Sequence, residues 1–220
     1  MALLPEGMLL VDKPKGLSSF DVIRRLRRIR NIKKMGHAGT LDPLATGLMI
    51  IAEGSATKLL SNYIKLDKTY EAEVCLGERS GTGDAEGEVL ESVSIDTVDT
   101  ELLRKVAHDM VGPLELPVPV YSAIKQDGER LYKKARKGEH VTPPTRTMRV
   151  METTYLDSAL RNGLVFVTLR FHVGSGTYIR SLAEEYGRRL GYPARLENLR
   201  RTQVGEYSIE DAMALDSFAE

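Results

Sequence analysis

Gly36-His37-Ala38-Gly39-Thr40-Leu41-Asp42-Pro43-Leu44-Ala45-Thr46-Gly47 sets three glycines, one histidine, two threonines and one aspartate within twelve residues, with no lysine or arginine inside to neutralise the acid. The glycines permit positive φ or close approach of a second backbone, and Pro43 holds Asp42 extended. Two readings of Asp42 stand side by side. It caps a turn or a short helix opening at Pro43, as isolated aspartates before proline commonly do, or the loop presents its carboxylate for chemistry.

On the N-terminal side, Leu9 to Asp12 reads as a short apolar strand closed by the turn Lys13-Pro14-Lys15-Gly16. Ser18 followed three residues later by Asp21 is a capping-box pattern, and Val22, Ile23, Leu26 and Ile29 form the apolar stripe of the helix it opens. Arg24, Arg25, Arg27, Arg28 and Arg30 fill the other positions, either as a solvated basic face or as contacts to RNA.

On the C-terminal side, Gly47 to Ala52 suits a buried strand, and a helix is expected near Ala56 to Ile64. Tyr70, Ala72, Val74 and Leu76 alternate with Glu71, Glu73 and Cys75, the period of a half-buried strand with Tyr70 turned inward. Gly77 to Gly87, which contains Asp84, reads as a hairpin or exposed turn and lacks the ligand spacing of an EF-hand. A helix from Asp99 or Thr100 through Val111 stops at Gly112-Pro113. Val165, Val167, Leu169, Phe171 and Val173 share one face of a further strand. It runs through Gly174-Ser175-Gly176 into a helix that carries Ile179, Leu182, Ala183, Tyr186 and Leu190 and ends at Gly191. That glycine-rich turn lacks the Gly-Lys-Ser/Thr ending of a phosphate loop.

With 220 residues, 42% of them hydrophobic, the chain can bury a full core, and no Pro/Gly/Ser-rich linker divides it. A single cysteine excludes an internal disulfide and a cysteine-based metal site, and the four histidines show no HxH or HxxxH spacing. No signal-like segment opens the chain and no run reaches membrane-spanning length, so the expected location is the cytoplasm. Net charge is zero, yet charge is unevenly spread. Met1 to His37 holds nine basic residues against three acids, and Lys125 to Arg149 holds eight against three. Such segregation builds basic faces on a neutral protein, and the second stretch, with Leu131 and Tyr132 interleaved, suits an arm tracking phosphates. An ordinary charged helix is its alternative.

The opening string closely resembles the catalytic motif of the TruB family of tRNA pseudouridine synthases, and the resemblance extends from about Gly7 to Tyr207. It implies an α+β fold, the pseudouridine synthase core, with a mixed, mostly antiparallel sheet, flanking helices and a central RNA-binding cleft. It implies isomerisation of the T-loop uridine, position 55, of tRNA to pseudouridine by base flipping, with no cofactor and no metal. Asp42 takes the catalytic place. Lys68-Thr69-Tyr70 resembles the motif whose tyrosine stacks on the target base, and Gly176 to Ser181 the motif whose arginine pairs with the aspartate, which nominates Arg180. His37 matches the residue that fills the gap left by the base, and Leu199 the leucine that lines the pocket. Lys13, Lys125, Arg130, Lys133 and Arg136 are expected to contact RNA, the last four from an RNA-gripping insertion at about 124–150. Residues 1–207 are then one catalytic domain and 208–220 a short tail in place of the C-terminal PUA domain that many members carry. The expected partner is the T-arm loop of tRNA, met by a monomer that needs no obligate protein partner and no membrane. A catalytically silent RNA-binding or RNA-folding module is the rival reading. A glycosidase, a third reading, usually needs two facing carboxylates where the loop supplies one.

Overall fold

The computed structural model describes residues 4–122, 124–126, 128–131 and 141–219. The described elements are β1 (Met8–Lys13), α1 (Ser19–Ile29), β2 (Met35–His37), β3 (Thr46–Glu53), α2 (Leu60–Ile64), β4 (Lys68–Leu76), β5 (Glu78–Ser80), β6 (Val89–Ser92), α3 (Thr100–His108) and β7 (Gly112–Pro117). They continue with β8 (Lys125–Gln126), β9 (Glu129–Arg130), β10 (Thr145–Arg161), β11 (Leu164–Val173), α4 (Ile179–Leu190), β12 (Ala194–Val204), β13 (Tyr207–Ser208) and β14 (Met213–Ala214). The chain forms two compact units. Met1–Glu71, His172–Ser175 and Leu199–Glu220 make the first, and Ala72–Phe171 with Gly176–Asn198 the second, so β4, β11 and β12 each give residues to both.

The first unit is built on β3, which is buried along almost its whole length. One edge pairs antiparallel with β1, from Met8↔Ala52 to Lys13↔Gly47, and β1 pairs parallel with β14 on its outer side. The other edge of β3 is shared. Its C-terminal half takes β2 antiparallel, ending at His37↔Ile51, and its start takes β12 parallel at Arg200↔Thr46 and Arg201↔Gly47. Met8, Leu10, Leu48, Ile50, Val204 and Tyr207 form one packed cluster, while Met49 and Ile51, of opposite parity, are equally buried, which makes β3 a central strand covered on both faces.

Helix α1 starts where the sequence expects it. The Ser18 hydroxyl accepts from the Asp21 N–H, the Asp21 carboxylate accepts from the Ser18 N–H, and Val22, Ile23 and Leu26 are fully buried. Each of those three side chains contributes roughly 1.5–3 kcal/mol by leaving water.

In the second unit the strand order is β12-β4-β11-β10-β7, with β10 antiparallel to β7 from Thr145↔Pro117 to Val150↔Gly112. The five alternating residues of β11 from Val165 to Val173 are all buried. Cys75, expected on the outer face of β4, is buried as well, since the end of that strand is covered on both sides. Asp99 caps α3 by accepting from the Glu101 and Leu102 N–H groups, and the Tyr186 hydroxyl of α4 donates to the Leu103 carbonyl at 2.9 Å. Gly191, in the left-handed region, closes α4. The pairing is thus mixed and mostly antiparallel, with helices against it.

Candidate active site

In the first unit, Asp42 sits on the connection between β2 and β3, and the loop is fastened on both sides of it. The Ser19 hydroxyl accepts from the Leu41 N–H at 2.8 Å and donates to the Leu41 carbonyl at 2.9 Å, satisfying both backbone groups of a buried residue at once. The Asp42 carbonyl accepts from the Ala45 N–H at 3.1 Å, a turn with Pro43 at its second position. The Pro43 carbonyl in turn accepts from the Gly16 N–H at 2.8 Å and the Lys13 ammonium at 3.4 Å. Leu41, Leu44 and Ala45 are buried, so the apolar neighbours anchor the loop while Asp42 stays half-exposed. The turn reading of this residue is therefore right for its backbone.

Lys13 lies beneath the same loop. It is 0% exposed, and its ammonium donates to the carbonyls of Leu17 at 2.6 Å and Pro14 at 2.9 Å besides that of Pro43. An ammonium bonded to three carbonyls, one of them that of Pro43, braces the Asp42 loop.

His37 ends β2, half-buried. Burial lowers the pKa of its imidazole below the ordinary value, the nearby Arg201 charge adds to that, and a hydrogen bond to the backbone of Gly39 pulls the other way. Tyr70 is buried on β4, and that strand is stitched to β12: the Thr202 hydroxyl donates to the Thr69 carbonyl at 3.3 Å, and Thr69 Oγ1 donates to Gln203 Oε1 at 3.1 Å. Two residues before Tyr70, the buried Lys68 ammonium donates to the Ile64 carbonyl at 2.6 Å and to Ser175 Oγ at 3.4 Å, and burial pulls its pKa down to about 8. Leu199 is half-buried, and its carbonyl accepts from Thr46 Oγ1 at 3.4 Å, at the end of the Asp42 loop. The next residue, Arg200, grips Asp12 with its two terminal guanidinium nitrogens at 2.7 and 3.1 Å.

In the second unit, Arg180 lies in the first turn of α4 and is buried. It donates to the Thr82 carbonyl at 2.9 Å and the Tyr121 carbonyl at 3.0 Å, and its Nε lies 3.7 Å from Asp84 Oδ2. Asp84, read from sequence as part of a hairpin or exposed turn, is buried in the β5–β6 connection, where its carboxylate also accepts from the Glu86 N–H at 3.1 Å. Glu184, one turn along α4, has its pKa raised by burial, with the Arg79 and Arg180 charges opposing. Lys133 and Arg136 lie outside the described residues, and Lys125 and Arg130 are described by backbone alone, as partners in the β8–β9 pair.

His37 and Asp42 thus share one loop with Leu199 tied to its exit. From sequence, Ser19 stands only within the stretch Lys13-Pro14-x-Gly-x-Ser18-Ser19 that resembles the family's first motif, and neither it nor Arg201 is given a role in this unit. For Ser19 the signal was the second serine of Ser18-Ser19, one serving the helix cap and the other free for the loop. A buried arginine at 201 left no local signal.

Among solved structures, the chain is similar to those titled "Crystal Structure of a Cbf5-Nop10-Gar1 Complex" (TM-score 0.71, 27% identity, 96% of this chain and 52% of that one) and "Crystal structure of the archaeal box H/ACA sRNP Nop10-Cbf5 complex" (0.69, 26%, 97% and 52%). The family model described as "TruB family pseudouridylate synthase (N terminal domain)" matches residues 27–179. Curated relatives include the proteins named tRNA pseudouridine synthase B of Burkholderia pseudomallei (44% identity, 96% of this chain and 68% of that protein), Cupriavidus taiwanensis (44%, 95% and 66%) and Thermobifida fusca (41%, 98% and 75%). The chain spans about half the length of the solved chains it matches and about two thirds of the first of those curated relatives. Fold and loop together define the class, that of the pseudouridine synthases. Within it, the chain belongs to the TruB family.

Proposed function

We propose that this chain isomerises the T-loop uridine, position 55, of tRNA to pseudouridine, with Asp42 as its catalytic residue and no cofactor. The observation that carries the reading is the bracing of the Asp42 loop. A carboxylate flanked by a doubly bonded Leu41 and a doubly bonded Pro43 carbonyl is held before substrate arrives, as a reaction centred on one residue requires. Family membership supplies the reaction class.

In this scheme Asp42 attacks the ribose C1′ as nucleophile, or removes the 2′-proton to release uracil through a glycal. The base then rotates and rejoins through carbon. Tyr70, rigid on a stitched strand, stacks on the uracil once it is extruded, at a cost of a few kcal/mol that a loop base keeps modest. Arg180 pairs with the Asp42 carboxylate, His37 occupies the space the base leaves and Leu199 lines the pocket. The orienting carbonyls of Thr82 and Tyr121 support a fixed guanidinium at position 180. Residues 1–207 serve as the catalytic portion and 124–150 as its RNA-gripping arm. The protein acts as a monomer in the cytoplasm. None of the described helices is long and apolar enough to cross a membrane.

The experiment is product analysis on a full-length tRNA transcript carrying tritium at uridine C5. Tritium release with pseudouridine mapped to position 55 is expected. Release of free uracil, or pseudouridine at other sites only, overturns the reading.

A further inference from the structure

Arg201 stands at the neck of the Asp42 loop and touches both of its ends. It is 1% exposed, on β12. Its Nη2 donates to the carbonyl of Gly39, where the loop begins, at 3.2 Å, and its Nε donates to the carbonyl of Leu48, just past the loop's end, at 2.7 Å. Its backbone lies against Gly47, so closely that a Cβ there would come within 2.3 Å of the Arg201 carbonyl oxygen.

The β2–β3 ladder explains why an arginine is needed. The ladder ends with His37↔Ile51 and the Ala38 N–H donating to the Ile50 carbonyl at 2.9 Å. The Leu48 carbonyl is two residues along and faces the same edge of β3. There β2 has departed into the loop and β12 joins only at Thr46 and Gly47. A buried carbonyl at that gap needs a donor. The guanidinium of Arg201 fills the gap and spans it to Gly39, taking the place of the next rung. One planar group with donors fixed in a fork does this, whereas an ammonium holds a single point.

We propose that Arg201 is a positioning residue for the reaction, fixing the neck of the loop and through it the placement of His37 and Asp42. The proposal rests on the assignment of Asp42 as the catalytic carboxylate. Its consequence for His37 follows from the same geometry, because Arg201 is held at the Gly39 carbonyl, two residues from His37, and its buried charge disfavours a protonated ring. Displacing a catalytic group by about 1 Å costs on the order of a hundredfold in rate, so loosening the neck is felt in turnover more than in RNA binding.

The test uses Arg201→Lys, which keeps the charge without the fork, and Arg201→Gln, which keeps donors without the charge, with Asp42→Asn in parallel. Melting curves establish the folded fraction, single-turnover kinetics on a T-arm RNA give the maximal rate and KM, and NMR titration follows His37. Expected are folded variants whose maximal rate falls roughly ten- to a hundredfold with KM little changed, and a His37 pKa that rises in Arg201→Gln but stays low in Arg201→Lys. Wild-type turnover by both variants while Asp42→Asn is inactive overturns the inference and leaves the function standing. Turnover by Asp42→Asn overturns the function, and the His37 titration still reads the neck on its own. Losses that only track the folded fraction, a failure of both variants to fold, or a His37 pKa unmoved in Arg201→Gln mark Arg201 as a scaffold residue and refute the positioning role.

Discussion

Replacing Gly47 with alanine should destabilise the chain far more than the one added methyl suggests. Gly47 has φ +106°, where an L side chain costs roughly 1–2 kcal/mol. The new Cβ would lie 2.3 Å from the Arg201 carbonyl oxygen and 2.7 Å from its nitrogen, backbone atoms that cannot swing aside as a side-chain tip can. Relief requires β3 to draw away from β12, which puts the pairs Arg200↔Thr46 and Arg201↔Gly47 at risk, and each backbone hydrogen bond lost there costs about 0.5–1.5 kcal/mol net. Together these amount to roughly 2–5 kcal/mol, a large share of a typical 5–15 kcal/mol domain stability. For a chain of this size the melting midpoint should fall by on the order of 10 °C.

Gly16→Ala is the matched control, for it too has positive φ (+87°), yet nothing lies within 4 Å of its Cβ position, so only the strain remains. Differential scanning calorimetry of both variants reads the difference. If Gly47→Ala melts within about 2 °C of Gly16→Ala, the close approach of β12 to the loop's exit is wrong, and the account of the neck falls with it.

Other perturbations test the proposed roles one residue at a time. Ser19→Ala leaves the buried Leu41 N–H and carbonyl without the hydroxyl that serves both, and should cost about 1–3 kcal/mol by urea titration; a change under a few tenths of a kcal/mol would contradict the bracing. Arg180→Lys should reduce turnover strongly, because a point charge cannot hold the Thr82 and Tyr121 carbonyls together, and near wild-type rates would remove it from the site. His37 has a folded pKa below that of the unfolded chain, so the unfolded state takes up its proton first as pH falls. Its contribution to stability is complete above about pH 6.5 and is lost as pH drops toward the folded pKa, and His37→Gln should flatten that part of the urea-midpoint profile. An unchanged slope would show that His37 is not desolvated.

What the sequence disclosed was whatever depends on local periodicity. The alternation from Val165 to Val173, the Ser18–Asp21 cap and the terminal Gly191 all read correctly, because each follows from chain geometry over a few residues. The long motif around Asp42 carried the family. What stayed hidden depends on which strands meet. Lys13 and Arg201 look like surface cations, and only the arrival of the Pro43 carbonyl over one and of the Gly39 and Leu48 carbonyls over the other turns them into buried braces. Leu196, Arg201 and Val204 are all buried although they do not share one parity along β12, so alternation could not have assigned them. Asp84 hid in the same way, an acid in a glycine-rich connection whose burial beside Arg180 comes from α4, far along the chain.

The most direct test of the central claim is single-turnover conversion of a T-arm stem-loop by Asp42→Asn, with RNA affinity measured on the same preparations. Removing one charge from a half-exposed loop should leave binding largely intact while pseudouridine formation disappears. Retained conversion at a rate near that of the unaltered chain would contradict the assignment of Asp42.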